Sequence, residues 1–240
     1  MREYFNNIFI GTEYDLLQEI KTHLINNNKL FIVTANPETF MTAKRDSDLN
    51  KILLDDEVVT IPDGIGVVRA AKELGYNNVH KITGIDIANK LISLSADENK
   101  SIYFYGSTQK VQENLIKKLS IKFPNLKIAG NKNGYDLNKE EIIEEILKLS
   151  PDIILVALGV PMQEKFIYEL FKQSNKGIFI GIGGSLDIIS GQKKRAPIII
   201  RKLNMEWSYR IATEPKRLKR FYKNNIKFML EMRNLKKQEN

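Results

Sequence analysis

The segment Pro62-Asp63-Gly64-Ile65-Gly66 puts a carboxylate directly after an apolar run and before an amphipathic stretch. A carboxylate so placed can deprotonate an attacking hydroxyl within hydrogen-bond reach, while the glycines let a substrate approach the backbone. Asp at such a junction also serves as a helix N-cap, and in isolation that is the simpler role. Thr34-Ala35-Asn36-Pro37-Glu38 likewise sets a hydroxyl and an amide at the end of an apolar run, suited to a sugar or phosphate or, equally, to turn and cap chemistry. Gly181-Ile182-Gly183-Gly184-Ser185-Leu186-Asp187 is a Gly-rich turn whose backbone N–H groups can cradle phosphates, with Asp187 as a candidate acceptor for a ribose hydroxyl. It is not the Gly-x-Gly-x-x-Gly dinucleotide pattern, because the next glycine is Gly191.

In Gly159-Val160-Pro161-Met162-Gln163-Glu164, Gln163 opens a helical pattern and can bind sugar hydroxyls, whereas Glu164 is expected to cap the helix or complement its dipole. Arg195, Arg210, Arg217 and Arg220 supply forked donors that suit a diphosphate. Asp46-Ser47-Asp48 has the spacing of a metal–diphosphate pair, but it lies within a helical pattern over residues 40–54 and is not assigned that use. No Cys is present and the two His, His23 and His80, are far apart, so no metal site is expected.

These segments need a scaffold that brings them together. Apolar runs at 30–35, 57–61, 101–105, 126–129, 152–157 and 177–180 read as strands, nearly continuous in Ile, Val and Phe as a sheet buried on both faces requires. Helical periodicity lies between them at 86–96, 108–121, 139–149 and 163–171. The alternation predicts an α/β fold, a Rossmann-like parallel sheet flanked by helices, in which ligands bind beyond the carboxyl ends of the strands. The polar and Gly-rich turns stand at those ends.

Charge divides the chain. From Lys193 onward 15 Lys and Arg face 4 Asp and Glu, a net of +11 within an overall +8, so the preceding residues carry −3. We read residues 1–194 as the α/β domain and 195–240 as a basic helical appendage. Glu214-Pro215 reads as a helix start. Leu218, Phe221, Tyr222, Ile226, Met229 and Met232 follow as an apolar stripe, with Lys and Arg largely off it. A basic amphipathic helix suits an anionic membrane surface; docking on the protein's own core or on a second copy is the alternative, and a homo-oligomer stays open. No apolar run is long enough to span a bilayer, and no secretory signal is evident at the start, so a cytoplasmic protein is expected.

In their order and spacing, Thr34-Ala-Asn-Pro-Glu38, Pro62-Asp-Gly-Ile-Gly66, Thr83-Gly-Ile-Asp86, Gly159-Val-Pro-Met-Gln-Glu164, Gly183-Gly-Ser-Leu-Asp187, Lys194-Arg-Ala-Pro197 and Glu206-Trp-Ser-Tyr-Arg210 resemble the WecG/TagA/CpsF glycosyltransferases, glycosyltransferase family 26. The resemblance runs from about residue 30 to 222. It implies inverting sugar transfer without a metal or other cofactor, from a UDP-sugar donor to a sugar on polyprenyl diphosphate, at the inner face of the cytoplasmic membrane. The setting it implies is wall teichoic acid or surface polysaccharide synthesis. It places the general base on Asp63 and a polar pair near the sugar on Thr34 and Asn36, Thr34 being counted with Asp63 as catalytic, with further substrate contacts on Gln163 and Lys81. It places the nucleotide-side acid on Asp187 and lipid-diphosphate contacts on Arg210, Arg217 and Arg220. The sequence departs from the family at Met162, Leu186 and Lys81, where Arg or Lys, Phe and Arg respectively are common; Lys81 keeps a charge but loses the fork.

The expected reaction has the donor diphosphate near Gly183 and Gly184, and N-acetylmannosamine passing to N-acetylglucosaminyl-diphospho-undecaprenol. Donors carrying glucose or N-acetylmannosaminuronic acid are alternatives. A nucleotide-dependent oxidoreductase lacks its fingerprint here. A nucleic-acid-binding protein would leave the strand-end turns unexplained, and no nucleic-acid partner is expected.

Overall fold

The structure, a computed structural model, describes residues 1–135 and 138–238, with the side chains of residues 217, 220 and 236–238 outside the description. The described strands are β1 (Lys29–Ala35), β2 (Val58–Pro62), β3 (Ser101–Gly106), β4 (Lys127–Lys132), β5 (Ile153–Ala157) and β6 (Gly177–Gly181). They form one sheet in the order β2-β1-β6-β5-β3-β4, and every pairing is parallel. The helices are α1 (Glu13–Ile25), α2 (Pro37–Ala43), α3 (Ser47–Leu54), α4 (Ile65–Glu73), α5 (Gly84–Asp97), α6 (Gln109–Lys122), α7 (Lys139–Leu149), α8 (Met162–Gln173), α9 (Ser185–Ile189), α10 (Ile198–Lys202), α11 (Glu206–Thr213) and α12 (Arg217–Gln238).

The expected α/β architecture is therefore the observed one. Alternation along each strand sends residues to opposite faces. Phe31, Val33, Tyr103, Tyr105, Ile154 and Val156 face a core built with α2, α3, α4, α7 and α8. Leu30, Ile32, Ile102, Phe104, Ile153 and Leu155 face a second core with α1, α5, α6 and α9. Both faces are covered over the central strands, which is why these are largely apolar, whereas the edge strand β4 is only partly buried and carries Asn131 and Lys132.

Three local readings change. The helical pattern over 40–54 is two helices, because the Asp46 side chain accepts from the Leu49 N–H and starts α3 afresh. Strand β4 runs beyond Gly130 to Lys132. The last helix begins at Arg217 rather than at Pro215, which lies in the preceding turn.

The apolar stripe of α12 resolves into two. Phe228 and Met232 are buried in the same core as Phe40, and the Phe228 ring stacks on Phe40 at 5.9 Å. Arg45 donates to Asn224, and Lys44 pairs with Glu231, on this contact. Leu218, Tyr222, Ile226 and Met229, at steps of four, four and three on another side of the helix, remain exposed. Ile198, Ile199 and Leu203 of the α10 region are exposed as well.

Candidate active site

All six strands point the same way, so their carboxyl ends share one edge. The Asp63 N–H donates to the Ala35 carbonyl at 2.8 Å, and the Ile82 N–H to the Pro62 carbonyl at 3.1 Å. These bonds pin the turns after β1 and β2 and the segment at 81–83 beside one another. Gly64, at φ 142°, takes the N-cap position of α4, a conformation that suits glycine. The Asp63 carboxylate is consequently not used as a cap and opens into a cavity of about 290 Å³.

Asn36, Asp63, Lys81, Asn204, Trp207 and Arg210 are among the residues lining that cavity. Burial pushes the Asp63 carboxyl up to about 6; the charges of Arg210 and Lys81 oppose the rise, and Glu206 and Asp86 add to it. Asp63 keeps some opening toward the cavity, so the desolvation comes from the protein packed around its base. A carboxylate in this range is suited to accept a proton near neutral pH. Lys81 is held by a 2.7 Å bond to Asn204 Oδ1, and Arg210 by a 3.0 Å ion pair with Glu206. Trp207 and Phe221 stack at 4.9 Å and form an aromatic wall.

A second cavity, of about 350 Å³, shares Glu206 and Arg210 with the first and is also lined by Gly184, Lys193, Lys194 and Tyr209. Cations and a Gly turn thus lie alongside the carboxylate-bearing cavity. Asp187 flanks this region: its Oδ1 accepts from Ser107 Oγ at 2.6 Å, and Lys193 meets its Oδ2 at 3.0 Å.

The other expected site residues stand as follows. Thr34 is buried and donates its hydroxyl to the Gly181 carbonyl at 2.7 Å, tying β1 to the end of β6. Asn36 lines the cavity while its Oδ1 caps α2, accepting from the Glu38 and Thr39 N–H groups. Gln163 is buried, and its Oε1 accepts from the N–H groups of Gly159 at 3.2 Å and Gly183 at 3.0 Å. Arg195 turns inward to Asp86. Arg217 and Arg220 fall on α12, but their side chains lie outside the described residues.

Glu164 stands in the first turn of α8, where its charge complements the helix dipole, but its side chain is buried rather than exposed. Asp46 and Asp48 both pair with Lys165. Glu206 opens a motif noted in the sequence but carried no assigned role there, and Asn204 and Ser107 stand outside the motifs. The i,i+4 spacing of Glu206 and Arg210 was the available signal for the first; nothing local marked the other two.

Comparison with known proteins places this arrangement. The sequence profile described as the Glycosyl transferase WecG/TagA/CpsF family matches residues 7–240, and the chain belongs to that family. The match extends beyond the range of about 30 to 222 that the motifs alone marked, toward both ends of the chain. The chain is 38% identical over 189 residues to an N-acetylglucosaminyldiphosphoundecaprenol N-acetyl-beta-D-mannosaminyltransferase of Bacillus subtilis strain 168, covering 79% of this chain and 73% of that protein. A protein of the same name from Staphylococcus aureus strain NCTC 8325 is 34% identical over 219 residues, covering 88% of this chain and 86% of its own. The chain is thus a glycosyltransferase with a parallel α/β fold. Among the described residues no helix is long and apolar enough to cross a membrane.

Proposed function

We propose that this enzyme transfers N-acetylmannosamine from UDP-N-acetylmannosamine to N-acetylglucosaminyl-diphospho-undecaprenol, with inversion, in wall teichoic acid or surface polysaccharide synthesis. The relatives' names support the substrate pair. The observation that carries the mechanism is the placement of Asp63 in a cavity whose other charged walls are Glu38, Lys81, Glu206 and Arg210.

In this reading the acceptor's sugar hydroxyl lies against Asp63. Its oxygen attacks the anomeric carbon from the face opposite UDP, Asp63 takes the hydroxyl proton, and the carbon–oxygen bond to the diphosphate breaks. UDP leaves as an anion. The Gly183–Gly184 turn, Lys193 and Arg210 supply positive potential there, already oriented before reaction. Asn36 and Lys81 orient the sugars. Asp187 serves the nucleoside end. Thr34 and Gln163 act by holding the strand-end turns, and Arg217 and Arg220 contact the lipid diphosphate. The exposed apolar residues of α10 and α12, amid Lys and Arg, rest on the anionic inner face of the cytoplasmic membrane.

The test is UDP release from UDP-N-acetylmannosamine with an N-acetylglucosaminyl-diphospho-lipid acceptor. Acceptor-dependent release that collapses in a folded D63N variant is expected. Release from UDP-glucose alone would reassign the donor, and full activity in D63N would remove Asp63 from the mechanism.

A further inference from the structure

Glu164 is 1% exposed. Its Oε1 accepts from Gln163 Nε2 at 2.8 Å, and its Oε2 has no hydrogen-bond partner among the described residues. Burial pushes its carboxyl up to about 7, against the hydrogen bonds from Gln163 and from its own backbone N–H. A buried acid without a cation is costly, and an apolar side chain of similar size would suit the core of α8 better. Such a group calls for a reason beyond packing.

The reason lies in the neighbouring amide. A glutamine presents an acceptor at one end and donors at the other, and only its partners decide which way it points. The Glu164 oxygen claims the Nε2 end. Oε1 is thereby aimed at the Gly159 and Gly183 N–H groups, which belong to the turns after β5 and β6. The amide packs directly on Gly181, where an added Cβ would lie 2.6 Å from Gln163 Nε2, so hydrogen bonding rather than shape selects its orientation. With the amide reversed, two N–H groups would face an NH2 and an acceptor would face the Glu164 oxygen.

We propose that Glu164 is a positioning residue for the donor site: its acceptor oxygen fixes the Gln163 amide in the orientation that ties the Gly159 and Gly183 turns together, presetting the Gly183–Gly184 turn for a nucleoside diphosphate. The inference rests on the reading of that turn as the donor diphosphate site. It adds a residue that touches neither substrate.

The experiment uses the full chain, with UDP binding by calorimetry and steady-state rates against UDP-N-acetylmannosamine. E164Q keeps an acceptor oxygen, and E164M keeps the volume but removes it. E164Q is expected to bind UDP as the wild type does. E164M is expected to melt no lower than the wild type, yet to raise the UDP Kd and the donor KM about tenfold, the scale of one lost hydrogen bond, with kcat changed less. Wild-type Kd and KM in E164M would overturn the proposal. So would an E164Q variant with the tenfold loss, and that variant decides the matter if E164M does not fold. Failure of the wild type to bind UDP would instead remove the donor-site reading on which the inference rests.

Discussion

The Arg195 guanidinium meets the Asp86 carboxylate in two parallel hydrogen bonds, of 2.6 and 2.7 Å, across a sequence separation of 109 residues. Asp86 stands in the first turn of α5 and also accepts from Thr83, the N-cap of that helix. Arg195 begins the segment that leads to α10 and α11, and its Nε lies 4.0 Å from Glu206. This forked pair therefore sets where the chain leaves the α/β core and where Glu206 and Arg210 come to lie over Asp63.

R195K keeps the charge but cannot reproduce the fork. We expect R195K and R195A both to lower kcat/KM, by about tenfold or more, since a small misplacement of positioning groups is costly to rate. A double-mutant cycle with D86N should give a coupling of about 1 kcal/mol, kept modest because the Asp86 side chain is 36% exposed. Additive losses in that cycle would separate the two residues.

The raised carboxyl of Asp63 has two consequences with pH. Activity requires the ionised base, so kcat/KM should climb as pH rises through about 6 and level off above it. D63N should lose activity by about 10²-fold or more on the plateau. Stability runs the other way. The folded pKa lies above the usual value of 3.8, so the stabilisation is complete below 3.8 and is lost as pH rises through about 6. D63N should therefore be more stable than the wild type at pH 8, by up to about 3 kcal/mol, with a higher melting temperature there and a matching one near pH 4. Equal melting at both pH values would contradict the buried ionised carboxylate.

Phe228 is the anchor of α12. F228A should cost about 3 kcal/mol, the penalty for emptying a large aromatic from a core, and lower the melting temperature accordingly. Because Phe221 of the same helix stacks on Trp207 at the cavity, KM should rise as well. An unchanged melting temperature would mean that the helix does not rest on Phe40 in solution.

The other side of α12 leads to a prediction about surfaces. The protein should sediment with vesicles rich in anionic lipid and be released by salt, each Lys or Arg near the surface contributing about 1 kcal/mol. Ile199→Asp with Ile226→Asp should weaken that binding while leaving UDP binding intact, since both side chains are exposed. Binding that survives high salt would assign it to apolar insertion alone, and absence of binding would leave these residues to another contact.

The sequence by itself determined the sheet. Strands buried on both faces are apolar at nearly every position, so their runs stand out, and parallel pairing forces the polar turns to one edge. The carboxylate at Asp63, the Gly-rich turn at Gly183 and the basic tail were legible because Gly, Pro and charge mark turns and surfaces locally. Tertiary structure alone decided which polar groups face the cavity and which are consumed inside. Thr34, Gln163 and Glu164 read as site residues or surface, but their hydrogen-bond partners come from Gly181, Gly159 and Gly183 and from one another, in turns that meet only in the folded sheet. The same holds for α12. Helical spacing announces an apolar stripe, but only the position of Phe40 on α2 selects Phe228 and Met232 for burial and leaves Leu218, Tyr222 and Ile226 exposed. Periodicity is a property of one element, whereas burial is a relation between two.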